Sequence, residues 1–478
     1  MCYMKSNITN SILFYLGSTI LLSSCKKFVQ VGDPPLGIVR SKVFDNRDTA
    51  YAAVANMYSE MMNGLKLTNG YLSKYAGLCS DELVRTSAAT SVADWPFVKD
   101  SLQAADPTIK RMWADAFSII YLANAVLEGV AGSRALSDSL KVEMAGEARF
   151  VRALSYFYLV NIFGRVPLAL STNYEETRYL PRLPEQKVYQ QVITDLQMAA
   201  ATLPVMRSQT DTLYAPNSRA TRWAAMALLA RVYLYQHNWA AAHDMAEKVI
   251  TSGKFTMQGN LSEVFLKKST ETIFQLQPVT RGYNSGEAAL FLPTTGKPPY
   301  AVSATLFNSM ETGDARKNAW LGKDTNGPDT LYYPNKYKAK PGNSGQEYNI
   351  VLRLTEAFLI RAEASAQLGL LQGPDGAISD LNRIRSRALL PLKQETMDQA
   401  SVIEVIVQER RIEFFAEWGH RWLDLKRWPS LAQQGASRLQ EVMLIHRPST
   451  WQPFLALWPI PADQLSLNDQ LSQNPGYH

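Results

Sequence analysis

Apolar residues recur at helical spacing along most of the chain, and the predicted elements follow from that pattern. Ala52, Ala55, Met57, Tyr58 and Met61 place a helix at 48–63. Two longer helices follow at 108–130 and 138–163, the second ending at Gly164 ahead of Val166-Pro167. Pro184, read as a first-turn proline, opens a helix that runs to about 203. Residues 218–236 and 239–252 read as a helical pair with His237-Asn238 as the turn and Gly253 as the closing C-cap. Helices return at 353–369 and 374–388, separated by Gly369 and Gly373, and again at 399–417. The tail from 430 is mixed.

Two stretches lose this periodicity. Residues 64–107 are rich in Gly, Ser and Thr. Residues 254–350 carry many Gly, Pro, Asn and Tyr residues and a strand-like alternation at 270–276. The predicted class is therefore mainly α, with a loop-rich region of short strands. Small and large residues alternate on the paired helices: Ala224, Leu228 and Tyr233 with Trp239, Ala242 and Ala246, then Ala357, Ile360, Ala364 and Leu368 with Ala377, Leu381 and Ile384. Each pair resembles a tetratricopeptide unit of about 34 residues. Long insertions separate the copies, so pairs from the middle and the end of the chain must stack on one another to bury their faces.

The N-terminus reads as an address. Lys5 precedes an apolar stretch at 11–22, shorter than the about 20 residues that span a bilayer. Leu22-Ser23-Ser24-Cys25 then resembles a bacterial lipobox. That resemblance implies a signal peptide at 1–24 and diacylglycerol on Cys25, with Asp33-Pro34-Pro35 keeping the tether extended. No segment beyond the leader is expected to span a membrane.

Composition narrows the function classes. Of 478 residues, 46% are hydrophobic and 19% charged, which is the profile of a folded chain with a large core. A formal charge of +6 without a run of basic residues argues against nucleic acid. Three cysteines, Cys2, Cys25 and Cys79, exclude a disulfide framework. No zinc spacing, HExxH, P-loop, GxSxG or dinucleotide fingerprint occurs, so no metal, cofactor or catalytic residue is expected.

Four stretches, in order, carry a family resemblance. The first is Cys25 with Lys26-Lys27-Phe28 and Asp33-Pro34-Pro35. The second is EARFVRALSYFYLVNIFGRVPL at 147–168. The third joins RLTEAFLIRAEA at 353–364 to QERRIEFFAEWGHRWLDLKRW at 408–428. The last is PIP at 459–461 with QNPGY at 473–477. Together they resemble the SusD/RagB family of outer-membrane nutrient-binding lipoproteins. The resemblance implies a SusD-like fold of four irregular tetratricopeptide-like helix pairs with loops packed on one side. It implies a region at 25–270 and a RagB/SusD-type region at 271–478, forming one compact unit. It also implies a lid on a SusC-like TonB-dependent barrel, cell-surface exposed, that captures oligosaccharide or polysaccharide. In the RagB branch the ligand would be peptide, and a surface glycosidase or a purely protein-binding adaptor are the remaining readings.

Glu147, Arg149 and Arg152 lie within about a turn and a half, and Glu409, Arg410, Glu413 and Glu417 share a second helix. They are read as structural ion pairs rather than acid–base machinery, because ionised groups in packed helices need partners. Arg421 or Arg427 are the expected partners of Glu413 and Glu417. Trp418, Trp422 and Trp428, like Trp113, Trp223 and Trp239, are assigned to the core. A sugar needs aromatic faces and flanking polar groups, usually on loops over a rigid scaffold. The loops at 64–107 and 277–345 supply Trp95, Tyr283, Tyr300, Trp320, Tyr332, Tyr333 and Tyr337, with Asp81, Asn284 and Arg316 nearby. Trp95 and Trp320 lead this set, since a tryptophan in a polar loop has no obvious core to enter.

Overall fold

Ser137 accepts a hydrogen bond from the Leu140 amide, and the helix it caps runs Asp138–Phe163, as the spacing predicts. Gly164 ends it at φ +69°, where a Cβ would meet Leu457 Cδ1 at 2.9 Å. The computed structural model describes residues 40–207, 216–279, 284–327, 329–341 and 345–477. Contacts divide the chain into Met1–Val43 and Phe44–His478, and the second unit carries the helical stack. The leader, Cys25 and the Asp33-Pro34-Pro35 tether lie outside the described residues.

The helices Arg47–Met62, Pro107–Gly132, Glu185–Thr202, Arg222–Tyr235 and Trp239–Thr251 fall within a few residues of the predicted ones. Pro184 occupies the N-cap instead of the first turn, and Thr221 caps the helix that the sequence starts at 218. His237 makes the predicted turn at φ +54°, Asn238 caps the next helix, and Gly253 follows it at φ +65°.

From Pro107–Gly132 to Trp239–Thr251, each long helix packs on the next long one. Trp239–Thr251 then packs directly on Leu354–Gln367, across the whole 254–350 segment, which is the stacking of distant pairs that buried faces demand. Leu354–Gln367 packs in turn on Ala377–Arg387 and Gln399–Glu413, around Ala362, Ala366, Ile378, Leu381, Val402 and Ile406. Trp113 is buried, whereas Trp223 and Trp239 are half-buried at the edge of the stack, a correction to their core assignment. Pro107–Gly132 is long and apolar enough to cross a membrane, contrary to the sequence expectation. Its Ile109, Met112, Trp113, Ala116, Ile119, Ile120 and Ala123 are instead buried within the fold at helical spacing.

The predicted 399–417 helix ends at Glu413, and a second helix that the sequence did not predict, His420–Arg427, follows. Ala416, Trp418 and Gly419 turn the chain between them at φ +54°, +47° and +69°. The apolar periodicity runs on through this turn, which is why it was invisible in the pattern.

The loop-rich region is built of two-stranded antiparallel pieces. Thr272–Leu276 pairs with Asn349–Arg353, and both strands are buried throughout, so the alternation at 270–276 does not mark a half-exposed strand. Leu83–Arg85 pairs with Tyr300–Val302, and Leu321–Asp324 with Leu331–Pro334. Short helices that periodicity missed, among them Tyr71–Cys79, Gly286–Phe291 and Ala304–Ser309, fill the space between.

Buried charges pin these loops to the helices. Arg353 donates to Glu413 at 2.6 Å, to Glu417 at 3.0 Å and to Glu271 at 3.3 Å. Arg316 donates to Asp314 at 2.9 Å, to Glu409 at 2.5 Å and to Glu413 at 3.0 Å. Burial alone would raise the Glu413 pKa, but Arg387, Arg353 and Arg316 together hold it well below the usual carboxylate range. Glu147 pairs with Arg219, Arg152 with Asp195 at 2.7 Å, and Arg410 with Asp424 at 2.8 Å. Arg149 makes no ion pair among the described residues and lies in the fields of Asp195 and Arg152. The expected partners of Glu413 and Glu417 were wrong: Arg421 binds Asp81, and Arg427 binds Glu363 and Asp424.

Candidate ligand-binding site

The aromatic residues singled out in the loops separate into buried and accessible groups. Trp320 is fully buried, its indole N–H donating to the Leu261 carbonyl at 2.9 Å and its ring set edge-on to Phe265. It is a core residue under the loops, held by a segment distant in sequence, and offers no face to a ligand. Tyr300 is buried and donates its hydroxyl to Asp94 at 2.7 Å. Tyr337 is buried and its oxygen accepts from the Ile350 amide at 2.9 Å. Asn284 is buried and accepts from the Gly345 amide at 3.3 Å.

The charged members also turn inward. Arg316 belongs to the ionic cluster described above. Asp81 accepts from Arg421 at 2.8 Å and Arg411 at 2.6 Å. Burial opposes its ionisation, but these guanidiniums lower its pKa to about 2. As placed, Trp320, Tyr300, Asn284, Arg316 and Asp81 build the scaffold of the loops and are not ligand contacts. Tyr283 lies outside the described residues.

Trp95 is different: it is 39% exposed. It opens the single helical turn Trp95–Val98, which closes when the Lys99 amide donates to the Trp95 carbonyl at 2.9 Å. That turn sets Lys99 four residues on, above the indole, with Nζ 4.7 Å from the ring centroid. The Arg85 guanidinium lies 4.4 Å from the same ring. Arg85 also donates to the carbonyls of Ala89 and Ser91, which fixes the loop leading to Trp95.

Beneath the ring, Asp94 is fully buried and accepts from Lys74 at 2.8 Å and from the Tyr300 hydroxyl at 2.7 Å. Burial lowers the Lys74 pKa, and the hydrogen bond that Lys74 donates to Asp94 opposes that shift. Thr86 ties this loop to the next, donating its hydroxyl to the Pro298 carbonyl at 2.6 Å. Lys297 reaches across to Ser87 at 3.4 Å. The platform is thus preorganised by buried polar contacts, with the indole partly exposed under the Lys99 side chain and Val92 exposed nearby.

Tyr332 is half-buried and stacks on Phe307, centroids 4.0 Å apart and planes at 17°. Its strand packs beside Tyr300–Val302, whose other edge carries Leu83–Arg85. Tyr333 lies across Gly322, where a Cβ would come within 2.1 Å of its ring. Phe307 was not singled out in the sequence, where residues 254–350 read as loops and short strands. Trp95 followed by Lys99 at one-turn spacing was a legible signal that periodicity alone did not rank.

An open cavity of about 650 Å³ lies elsewhere, among Ile250, Phe255, Met257, Leu354, Phe358 and Arg383. None of the sequence-nominated ligand residues lines it. Its aromatic rings, Phe255 and Phe358, are buried, and Asn382 on its wall is committed to Lys393. It therefore lacks an open stacking face, and the Trp95 surface is the better candidate.

The fold is a helical stack bearing loops, one of which presents a partly exposed aromatic platform. A family model described as "Starch-binding associating with outer membrane" matches residues 45–234, and the "SusD family" model matches 294–477. The chain belongs to the SusD/RagB family. It is 25% identical to SusD-like protein P25 of Formosa agariphila over 98% of this chain and 99% of that one. It is 24% identical to the starch-binding protein SusD of Bacteroides thetaiotaomicron over 72% of this chain and 74% of that one. A laminarin-binding SusD-like protein shares the fold at a TM-score of 0.72 and 23% identity, covering 90% of this chain and 100% of that one.

Proposed function

We propose that this chain is a non-enzymatic glycan-binding lipoprotein that captures oligosaccharide or polysaccharide at the outer membrane. It hands the ligand to a SusC-like TonB-dependent barrel, on which it acts as a hinged lid. Cys25 carries the lipid, and two or more acyl chains make the anchoring stable. Starch- and laminarin-binding relatives support the ligand class, and the family description supports the membrane.

The observation that carries the reading is Trp95, a half-exposed indole on a turn fixed by Arg85 and Asp94. An indole face covers the apolar face of a pyranose, and Lys99 can swing aside at a cost of about 0.5–1 kcal/mol in cation–π attraction. The carboxylates flanking the platform in sequence, Asp94 and Asp100, are already engaged by Lys74, Tyr300, Arg447 and Thr450. Glycoside hydrolysis would need two carboxylates free to face a sugar.

The test uses the chain from Lys26 onward, which contains the whole Phe44–His478 unit. It is screened against polysaccharides, oligosaccharides and mixed peptides, and bound samples are assayed for cleavage. Glycan binding without product is the expected result. Product formation would make the chain a glycosidase, and binding of peptide alone would move it to the RagB branch.

A further inference from the structure

The charge around Trp95 is one-sided. Residues 83–99 and 293–302 together contain Arg85, Lys99 and Lys297, against Asp94 as their one carboxylate. Asp94 is fully buried beneath the platform and already shared by Lys74 at 2.8 Å and Arg85 at 3.6 Å. Asp100, next to Lys99, is committed to Arg447 at 2.6 Å and to the Thr450 hydroxyl at 2.7 Å. Across the neighbouring loop Asp329 is exposed and enters no ion pair among the described residues. Lys99 and Lys297 likewise form no ion pair among the described residues. Lys99 rests on the indole, and Lys297 on a serine hydroxyl at 3.4 Å.

This arrangement discriminates between ligand chemistries. A neutral sugar that stacks on Trp95 must displace the Lys99 ammonium from the ring and gives it nothing in return. A sugar bearing an anionic group replaces the lost cation–π contact with a charge partner. It also meets the exposed Lys99 ammonium, which no exposed carboxylate on residues 83–99 offsets.

We propose that the Trp95 platform takes an acidic glycan, stacking a pyranose on the indole and placing its carboxylate or sulfate groups against Lys99, with Lys297 at the rim. The inference rests on the glycan-binding reading above and deepens it. Carboxylate and sulfate are the two sources of the same anionic chemistry, and matched ligands separate them.

The experiment is affinity electrophoresis of the Lys26–His478 chain in two matched pairs: polygalacturonate with its methyl ester, and sulfated laminarin with laminarin. The acidic member of at least one pair binds about tenfold tighter than its neutral partner. That preference shrinks several-fold as salt rises from about 50 to about 500 mM, because Lys99 is exposed. Lys99→Gln narrows the acidic-over-neutral ratio, Lys99→Arg restores it, and Trp95→Ala weakens whatever binds, with circular dichroism confirming that each variant is folded. Equal or tighter binding of the neutral members would overturn the acidic preference and leave the glycan reading standing. Failure of all four to bind would overturn both.

Discussion

Arg353 and Glu413 meet at 2.6 Å with both side chains buried, where the last strand of the loop region enters the helix Leu354–Gln367. Arg387 and Arg316 reach the same carboxylate from two other elements. One buried anion therefore joins the 399–413 helix to two segments of the loop-rich region and to the stacked helix Ala377–Arg387. Breaking a buried pair by removing one partner leaves uncompensated charge, at a cost of about 3–5 kcal/mol. Glu413→Ala is expected to destabilise the protein by that amount in urea unfolding. A loss below about 1 kcal/mol would show that water or a neighbouring carboxylate replaces it.

Two buried carboxyls act in the opposite sense. Burial pushes Glu82 up to about 7, against the Ala416 amide and Lys336, while Asp81 adds to the rise and Arg421 opposes it. Burial likewise pushes Glu287 up to about 7, although Ser73 donates to it at 2.9 Å. Each binds its proton more tightly in the folded chain than at the unfolded value near 4.5. Their stabilisation is therefore complete below that value and lost as pH rises through about 7. The melting temperature is expected to fall by a few degrees from about pH 5 to about pH 8, and Glu82→Gln with Glu287→Gln to flatten that slope. A wild-type profile flat over this range would contradict the assignment.

Asp81 gives a separate window. With its pKa lowered from 3.8 to about 2, its pairing with Arg421 and Arg411 stabilises the fold above the unfolded value and fails as pH drops through about 2. Asp81→Asn is expected to weaken the protein most near neutral pH and to lose its effect below about pH 2. Acid titration followed by circular dichroism measures this, and an effect that persists undiminished in acid would contradict it.

Trp320 and Trp95 show where the sequence stopped being informative. Both stand in polar loops, and the neighbouring residues do not say which of the two is buried. Trp320 is buried because Phe265 and the Leu261 carbonyl, distant along the chain, close over it. The same applies to Arg316 and Asp81, whose partners Glu409, Glu413, Arg411 and Arg421 come from the far end of the chain. Helices such as Asp138–Phe163 were legible because spacing and the Ser137 cap are local. Loop burial is a long-range property, and so only the region of the candidate site could be read. Trp320→Ala is expected to cost about 3–5 kcal/mol of stability, the range for truncating a buried aromatic. Urea unfolding checks it, and an unchanged midpoint would contradict the core placement.

The two loop segments also meet through glycine. A Cβ on Gly286 would lie 2.3 Å from the Asn69 carbonyl oxygen, and the Gly286 amide donates to the Asn69 side chain at 2.7 Å. Backbone cannot yield as a flexible side chain can. Gly286→Ala is expected to destabilise by about 1–3 kcal/mol, as overpacking does. Loss of hydrogen-exchange protection at 66–79 would localise the effect, and unchanged protection there would contradict it.

The central claim is that Trp95 is the surface on which this family member holds its glycan. The most direct measurement is the affinity of the wild-type chain and of Trp95→Ala for a polysaccharide that the wild type binds. The account predicts a loss of at least about tenfold with an unchanged melting temperature, because the indole is exposed and removable. Equal affinity in the two proteins would contradict it and place the binding surface elsewhere on the molecule.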